Sequence, residues 1–188
     1  MPLLILDRDG VINRDSDNYI RCVDDWAPIP GSIKAIADLS RAGYRIAVAT
    51  NQSGLSRGFF TLDDLEEIHA LLCRQVEKYG GTIEGIFYCP HLPEEGCGCR
   101  KPATGLLRAI EQELQQSAQG AFFVGDSLQD LQAASAYGCK PLLVKTGKGV
   151  DTLASLQSDE ASLDYPLEVP VYRDLADAAK AILVYCGG

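Results

Sequence analysis

Leu3-Leu4-Ile5-Leu6-Asp7-Arg8-Asp9-Gly10 opens the chain with four apolar residues that run straight into two aspartates and a glycine. A short continuous apolar run is what a strand buried on both faces looks like, because helices cover a parallel sheet on each side. The same kind of run returns at residues 45–50, 83–89, 121–124 and 140–144.

Amphipathic segments lie between these runs. Ser32 is placed to cap a helix with apolar positions Ile33, Ile36, Ala37 and Leu39, ended by Gly43. Thr61 is placed to cap a second, whose stripe is Leu62, Leu65, Ile68, Leu72, Val76 and Tyr79. Leu106, Leu107, Ile110 and Leu114 mark a third, residues 128–137 before Gly138 a fourth, and residues 175–184 the last. This alternation predicts a doubly wound, Rossmann-like α/β fold, a parallel sheet with helices on both faces, as a single domain over residues 1–188. Residues 151–168 have weak periodicity and read as a surface connection.

Apolar residues make up 46% and charged residues 23% of 188 positions, the balance of a chain with one sizeable core. No apolar run approaches the roughly eighteen residues a membrane span needs. Residues 1–6 lack the basic start and cleavage site of an export signal, so a cytoplasmic location is expected. The formal charge of -9 argues against nucleic-acid and membrane partners, since both call for a basic face. Seven cysteines, an odd number with no export signal, point to metal binding or burial and away from a disulfide framework.

In a doubly wound sheet ligands bind beyond the carboxyl ends of the strands, so the polar residues after each run decide the function. Asp7 and Asp9 follow the first run; alone the pair is weak, because aspartates commonly finish strands and cap turns. Thr50-Asn51-Gln52-Ser53-Gly54 follow the second, with hydroxyls, amides and backbone N–H groups suited to phosphate oxygens. Arg100-Lys101-Pro102 follow the third and its loop, with Pro102 placed to open a helix behind two cations. Gly125-Asp126-Ser127 and then Asp130 follow the fourth. Each group has an ordinary explanation as a turn, a solvated basic pair or a helix cap. In register at successive strand ends, they make a complete site for phosphoryl transfer.

Cys89, His91, Cys97 and Cys99 form a second constellation, interrupted by Gly96 and Gly98. Three thiols and an imidazole at this spacing make a closed, structural zinc site that holds the loop delivering Arg100 and Lys101. His69, the other histidine, reads as a surface residue at the edge of a helix stripe. With two histidines in all, a Ser-His-Asp hydrolase has little material. Cys22, Cys73, Cys139 and Cys186 read as buried thiols, and Trp26 as packing for the loop at Pro28 and Pro30.

The order Asp-x-Asp-Gly, strand-end Thr, Lys before a helix and Gly-Asp-x-x-x-Asp, spanning residues 7 to 130, resembles the motifs of the haloacid dehalogenase superfamily of phosphatases. The resemblance implies Asp7 as nucleophile, Asp9 as general acid and base, and Thr50 and Lys101 as holders of the transferring phosphoryl group. It implies Mg²⁺ on Asp7, the backbone carbonyl of Asp9, and Asp126, with Asp130 orienting Lys101 or the metal shell and not binding the metal directly. The zinc loop and the run from Thr50 to Gly58 are similar to a narrower group that lacks a large cap domain, the heptose-bisphosphate and histidinol-phosphate phosphatases. Specificity would then come from loops 13–25, 53–60 and 91–101.

Of these two activities the heptose bisphosphatase, which removes a 7-phosphate in the synthesis of lipopolysaccharide precursors, is preferred, because a bisphosphate gives Arg100 a second phosphate to bind. Asp15, Ser16, Asp17 and Asn18 are then expected to touch the sugar, and Asn51, Gln52 and Ser53 to contribute to substrate binding. The expected partner is a small phosphorylated sugar, and the expected state a monomer. A receiver-like signalling domain would share the Asp, Thr and Lys, but Asp9 beside the nucleophile favours turnover.

Overall fold

In a computed structural model that describes residues 1–158 and 169–185, strand and helix alternate along the chain. The elements are β1 (Leu3–Leu6), α1 (Ser32–Arg41), β2 (Arg45–Asn51), α2 (Leu62–Glu77), β3 (Gly85–Cys89), α3 (Gly105–Leu114), β4 (Phe122–Gly125), α4 (Leu128–Tyr137), β5 (Lys140–Val144), α5 (Gly149–Gln157), β6 (Val171–Tyr172) and α6 (Leu175–Tyr185). The strands form one parallel sheet in the order β3-β2-β1-β4-β5-β6. The doubly wound fold is therefore as the sequence predicts.

Alternation along each strand divides the core in two. Leu4, Leu6, Ile46, Val48 and Val124 face α1, α2 and α6, whereas Leu3, Ile5, Ala47, Ala49 and Phe123 face α3 and α4. Burying each large aliphatic side chain contributes about 1.5–3 kcal/mol, so both faces must be covered for the sheet to hold. Trp26 joins the first cluster as core packing. Leu6 lies opposite Val48 on one side and Val124 on the other. That register brings Asp7, Thr50 and Asp126 to one edge of the sheet.

Several local expectations are corrected. Ser32 does not cap α1: it is the first helical residue, preceded by Gly31 at φ 85°, and its hydroxyl donates to the Ile12 carbonyl. Thr61 does cap α2, in a reciprocal arrangement with Asp64. Leu62 and Tyr79, assigned to the α2 stripe, are exposed because they lie beyond the turns covered by the core. Pro102 does not open α3, which begins at Gly105 behind Thr104. The chain first folds back on the thiol loop, where Gly105 N donates to the Gly98 carbonyl and an added Cβ would strike that carbonyl.

The surface connection expected at 151–168 is helical up to Gln157, packed through Thr152; its later part, 159–168, lies outside the described residues, as does Cys186. Of the other scattered cysteines, Cys139 is buried and Cys22 and Cys73 are half-buried. Among the described residues no helix is long and apolar enough to cross a membrane.

Candidate active site

Asp7 continues β1, its N–H donating to the Val124 carbonyl. Its Oδ1 accepts from Arg8 N at 2.7 Å and lies 2.9 Å from Lys101 Nζ. Lys101 is itself buried, and its ammonium uses its other hydrogens on Asp130 Oδ1 at 2.6 Å and the Ala49 carbonyl at 2.8 Å. Burial would lower the Lys101 pKa, but Asp130 and Asp7 raise it, so the ammonium stays charged. Asp130 thus anchors Lys101, and its Oδ2 also accepts from Asp126 N, Ser127 N and Ser127 Oγ at the start of α4.

Asp9 is held quite differently. Arg8, which is wholly buried, grips the Asp9 carboxylate through Nε and Nη2 at 3.0–3.1 Å. Asn13 Nδ2 donates to Oδ1 at 2.9 Å and Gln52 Nε2 to Oδ2 at 2.8 Å. Against the upward pull of burial, Arg8, Asn13 and Gln52 bring the Asp9 pKa below its usual value.

Asp126 closes the site from β4. Its Oδ2 accepts from Lys148 N at 2.8 Å, and its carbonyl accepts from Thr152 Oγ1 at 2.8 Å. Gly10 and Gly147 sit at φ 82° and 57°, and a Cβ on either would strike the Asp126 carboxylate. Burial first and then the charge of Asp130 push Asp7 up to about 7, with Lys101 opposing, and burial first and then Asp7 and Asp130 push Asp126 up to about 8. Carboxylate oxygens of Asp7, Asp126 and Asp130 come within 4.8 Å of one another. Lys101 and the α4 N-terminus already occupy Asp130. Crowded hard oxygens whose own charge is disfavoured, beside a wall kept clear of side chains, fit a divalent cation held by Asp7 and Asp126.

Asp7, Asp9 and Asp126 open onto one cavity of about 750 Å³. Asp15, Ser16, Asp17, Tyr19 and Ile20 form one wall, Thr50 to Ser53 a second, Arg100 and Lys101 a third, and Lys148, Asp151, Thr152 and Ser155 the last. Lys148 pairs loosely with Asp15 at 3.5 Å.

Beside the cavity, Cys89, His91, Cys97 and Cys99 converge. Sγ–Sγ separations are 3.2–3.6 Å, and His91 Nδ1 is 3.2 Å from Cys99 and 3.5 Å from Cys89. A tetrahedron with metal–sulfur bonds of about 2.3 Å has edges only slightly longer than these, so the donor set fits zinc with no position left for water. Burial works upward on all three thiols; on Cys97 the N–H groups of Arg100 and Cys99 and the neighbouring thiols outweigh it and bring it down to about 6, whereas Cys89 is pushed up to about 12 and Cys99 up, so without a metal the cluster shares its protons unevenly. The loop is tied to the end of β2 by Asn51, whose Oδ1 accepts from Lys101 N and whose Nδ2 donates to the Lys101 carbonyl.

A family model described as HAD-hydrolase-like matches residues 98–178. Two D-glycero-beta-D-manno-heptose-1,7-bisphosphate 7-phosphatases, from Pseudomonas putida and Pseudomonas aeruginosa, are each 52% identical to the chain, covering 97% and 96% of it and 100% and 97% of their own lengths. The chain belongs to this phosphatase family. The crystal structure of the Bordetella bronchiseptica D,D-heptose 1,7-bisphosphate phosphatase, complexed with magnesium and phosphate, superimposes with a TM-score of 0.90 at 45% identity, covering 98% of this chain and 99% of that one.

Within this heptose-bisphosphatase family fold, the structure brings together nearly every residue singled out from the sequence. Asn18 is the exception: it does not line the cavity, whereas Asp15, Ser16 and Asp17 do. Asn51 lines it, but its amide is committed to Lys101. His69 is not the surface residue expected: it is half-buried behind Arg8, and burial first, then Arg8, push its pKa down to about 3. Sequence reasoning missed Arg8, Asn13 and Lys148. An arginine between two aspartates was a signal in itself, because a cation there must either face solvent or pair with one of them. Lys148 had no motif of its own.

Proposed function

We propose that this chain is a magnesium-dependent phosphatase that releases the 7-phosphate of D-glycero-beta-D-manno-heptose 1,7-bisphosphate by way of an aspartyl phosphate on Asp7. The observation that carries this reading is the likeness over essentially the whole chain to enzymes of that name at 52% identity. The site geometry supports the chemistry.

The Asp7 carboxylate attacks phosphorus in line, splitting one hard displacement into two easier ones. Asp9 gives a proton to the departing sugar oxygen and later takes one from the water that cleaves the acyl phosphate. In the free protein its donors hold Asp9 ionised. The negative charge of a bound phosphoryl group pushes the other way and favours the acid form needed first. Thr50 and Lys101 bind the phosphoryl oxygens, and Asp130 keeps Lys101 in place. Asp7, Asp126 and the Asp9 carbonyl would hold Mg²⁺, which when bound offsets the repulsion between carboxylate and phosphate. Arg100 binds the remote phosphate, Asp15 to Asp17 contact the sugar, and zinc on the Cys3His cluster keeps Arg100 and Lys101 in position.

Phosphate release from heptose 1,7-bisphosphate and from histidinol phosphate, compared as kcat/KM with and without Mg²⁺, tests this reading. A preference for the bisphosphate of at least about tenfold, or 1.4 kcal/mol, is expected, with no turnover without the metal. A reversed preference would reassign the substrate, and metal-independent turnover would remove the mechanism.

A further inference from the structure

Among the described residues, Arg8 is the largest side chain wholly withdrawn from solvent. A guanidinium is always charged and only donates, so a buried one needs an acceptor in each direction that it points. Nε and Nη2 face Asp9, as described. Nη1 faces the other way and meets His69 Nε2 at 3.2 Å, and among the described residues no other acceptor reaches it. Because the guanidinium cannot accept, Nε2 carries a lone pair, and the ring is neutral with its hydrogen on Nδ1. His69 sits on α2 next to Tyr88, with ring centroids 6.0 Å apart, and does not line the cavity.

We propose that His69 is a positioning residue for phosphoryl transfer: by accepting from Arg8 Nη1, it fixes the guanidinium plane that holds both carboxylate oxygens of Asp9. This rests on the reading of Asp9 as acid and base. A proton donor works only when its oxygen is aimed at the leaving atom, and small misplacements are costly in rate. Without the imidazole, Nη1 is a buried donor with no partner. The guanidinium then turns toward another acceptor, and the Asp9 carboxylate turns with it.

Leaving-group dependence separates this role from a general loss of structure. A sugar alkoxide needs protonation to depart, whereas p-nitrophenolate does not, and kcat/KM reports the steps up to that departure. His69→Leu should lower kcat/KM by about tenfold or more for the heptose bisphosphate and by less than about threefold for p-nitrophenyl phosphate. His69→Gln, whose Oε1 can accept, should recover most of the loss. Equal losses on both substrates, or a Gln variant as impaired as Leu, overturn the proposal.

Nitrogen NMR of the wild-type ring at neutral pH supplies a check that needs no variant. The Nδ1–H tautomer is expected, and an imidazolium or an Nε2–H ring overturns the Arg8 contact even if His69→Leu fails to fold. A wild-type protein releasing no phosphate from either substrate would instead sink the reading of function, with the tautomer still testing the contact.

Discussion

Asp7 and Asp9 are near neighbours in opposite electrostatic settings. Asp7 is pushed up to about 7, first by burial and then by Asp130, while Arg8, Asn13 and Gln52 outweigh burial and hold Asp9 below the usual carboxylate range. In the metal-free chain this order is the reverse of what the proposed roles need, an ionised nucleophile beside a protonated acid, so a cation at Asp7 and a phosphoryl group beside Asp9 have to invert it. Asp7→Asn should lower kcat by at least about 10³-fold with no loss of thermal stability, since it removes the nucleophile and also a disfavoured buried charge. Phosphate release and a melting curve measure both, and turnover near the wild-type level would exclude the covalent route. Asp130→Ala should act on folding, because it strips a buried ammonium of its shortest ion pair and α4 of its reciprocal cap. A loss of about 3–5 kcal/mol in denaturant unfolding is expected, and a loss below about 1 kcal/mol would mean that Asp7 and Ala49 suffice for Lys101. At this scale the sequence was most legible where a residue ended a strand. It was least legible for His69, because a helix stripe shows which side is buried but not which side chain from another element is waiting there.

The elements were read well wherever periodicity was unambiguous. Strands β1 to β5 lie within a residue or two of their apolar runs, since parallel strands covered by helices leave little room for polar interruptions. β6 escaped notice because two half-buried residues carry no period. The start of α3 was misplaced because tertiary contacts around the thiol loop, invisible in local sequence, decide where the helix begins. That loop is also where an element depends on something other than its own packing. Its 3₁₀ turn, Pro93–Glu95, buries none of its residues, so its order should come from metal bonds. Cys97→Ser should release zinc, loosen Arg100 and Lys101 together through the Arg100 N–H bond to Cys97 Sγ, and lower activity at saturating Mg²⁺. Elemental analysis and kinetics check this, with about one zinc per wild-type chain expected. A zinc-free protein of full activity would dismiss the site.

For the whole molecule, the crowded carboxylates link stability to pH and metal. The folded-state values of about 7 for Asp7 and about 8 for Asp126 lie above the 3.8 of an unperturbed aspartate. The folded state therefore binds more protons than the unfolded one across that window, and these two groups make metal-free protein less stable as pH rises through it. Added Mg²⁺ should raise the melting temperature more above about pH 8 than near about pH 6, because the ion substitutes for the missing protons. An equal shift at both would show that these carboxylates do not hold the cation. The position of β1 between β2 and β4 has a different consequence, one that belongs to synthesis. Leu4 pairs with Ile46 soon after it leaves the ribosome, but its partner on the other side, Phe122, is made only when most of the chain exists. Until then the strand that ends at Asp7 has an open flank of unpaired backbone, where another nascent chain could add itself. Slow elongation between these two points would lengthen that exposure, and early chaperone contact would shield it.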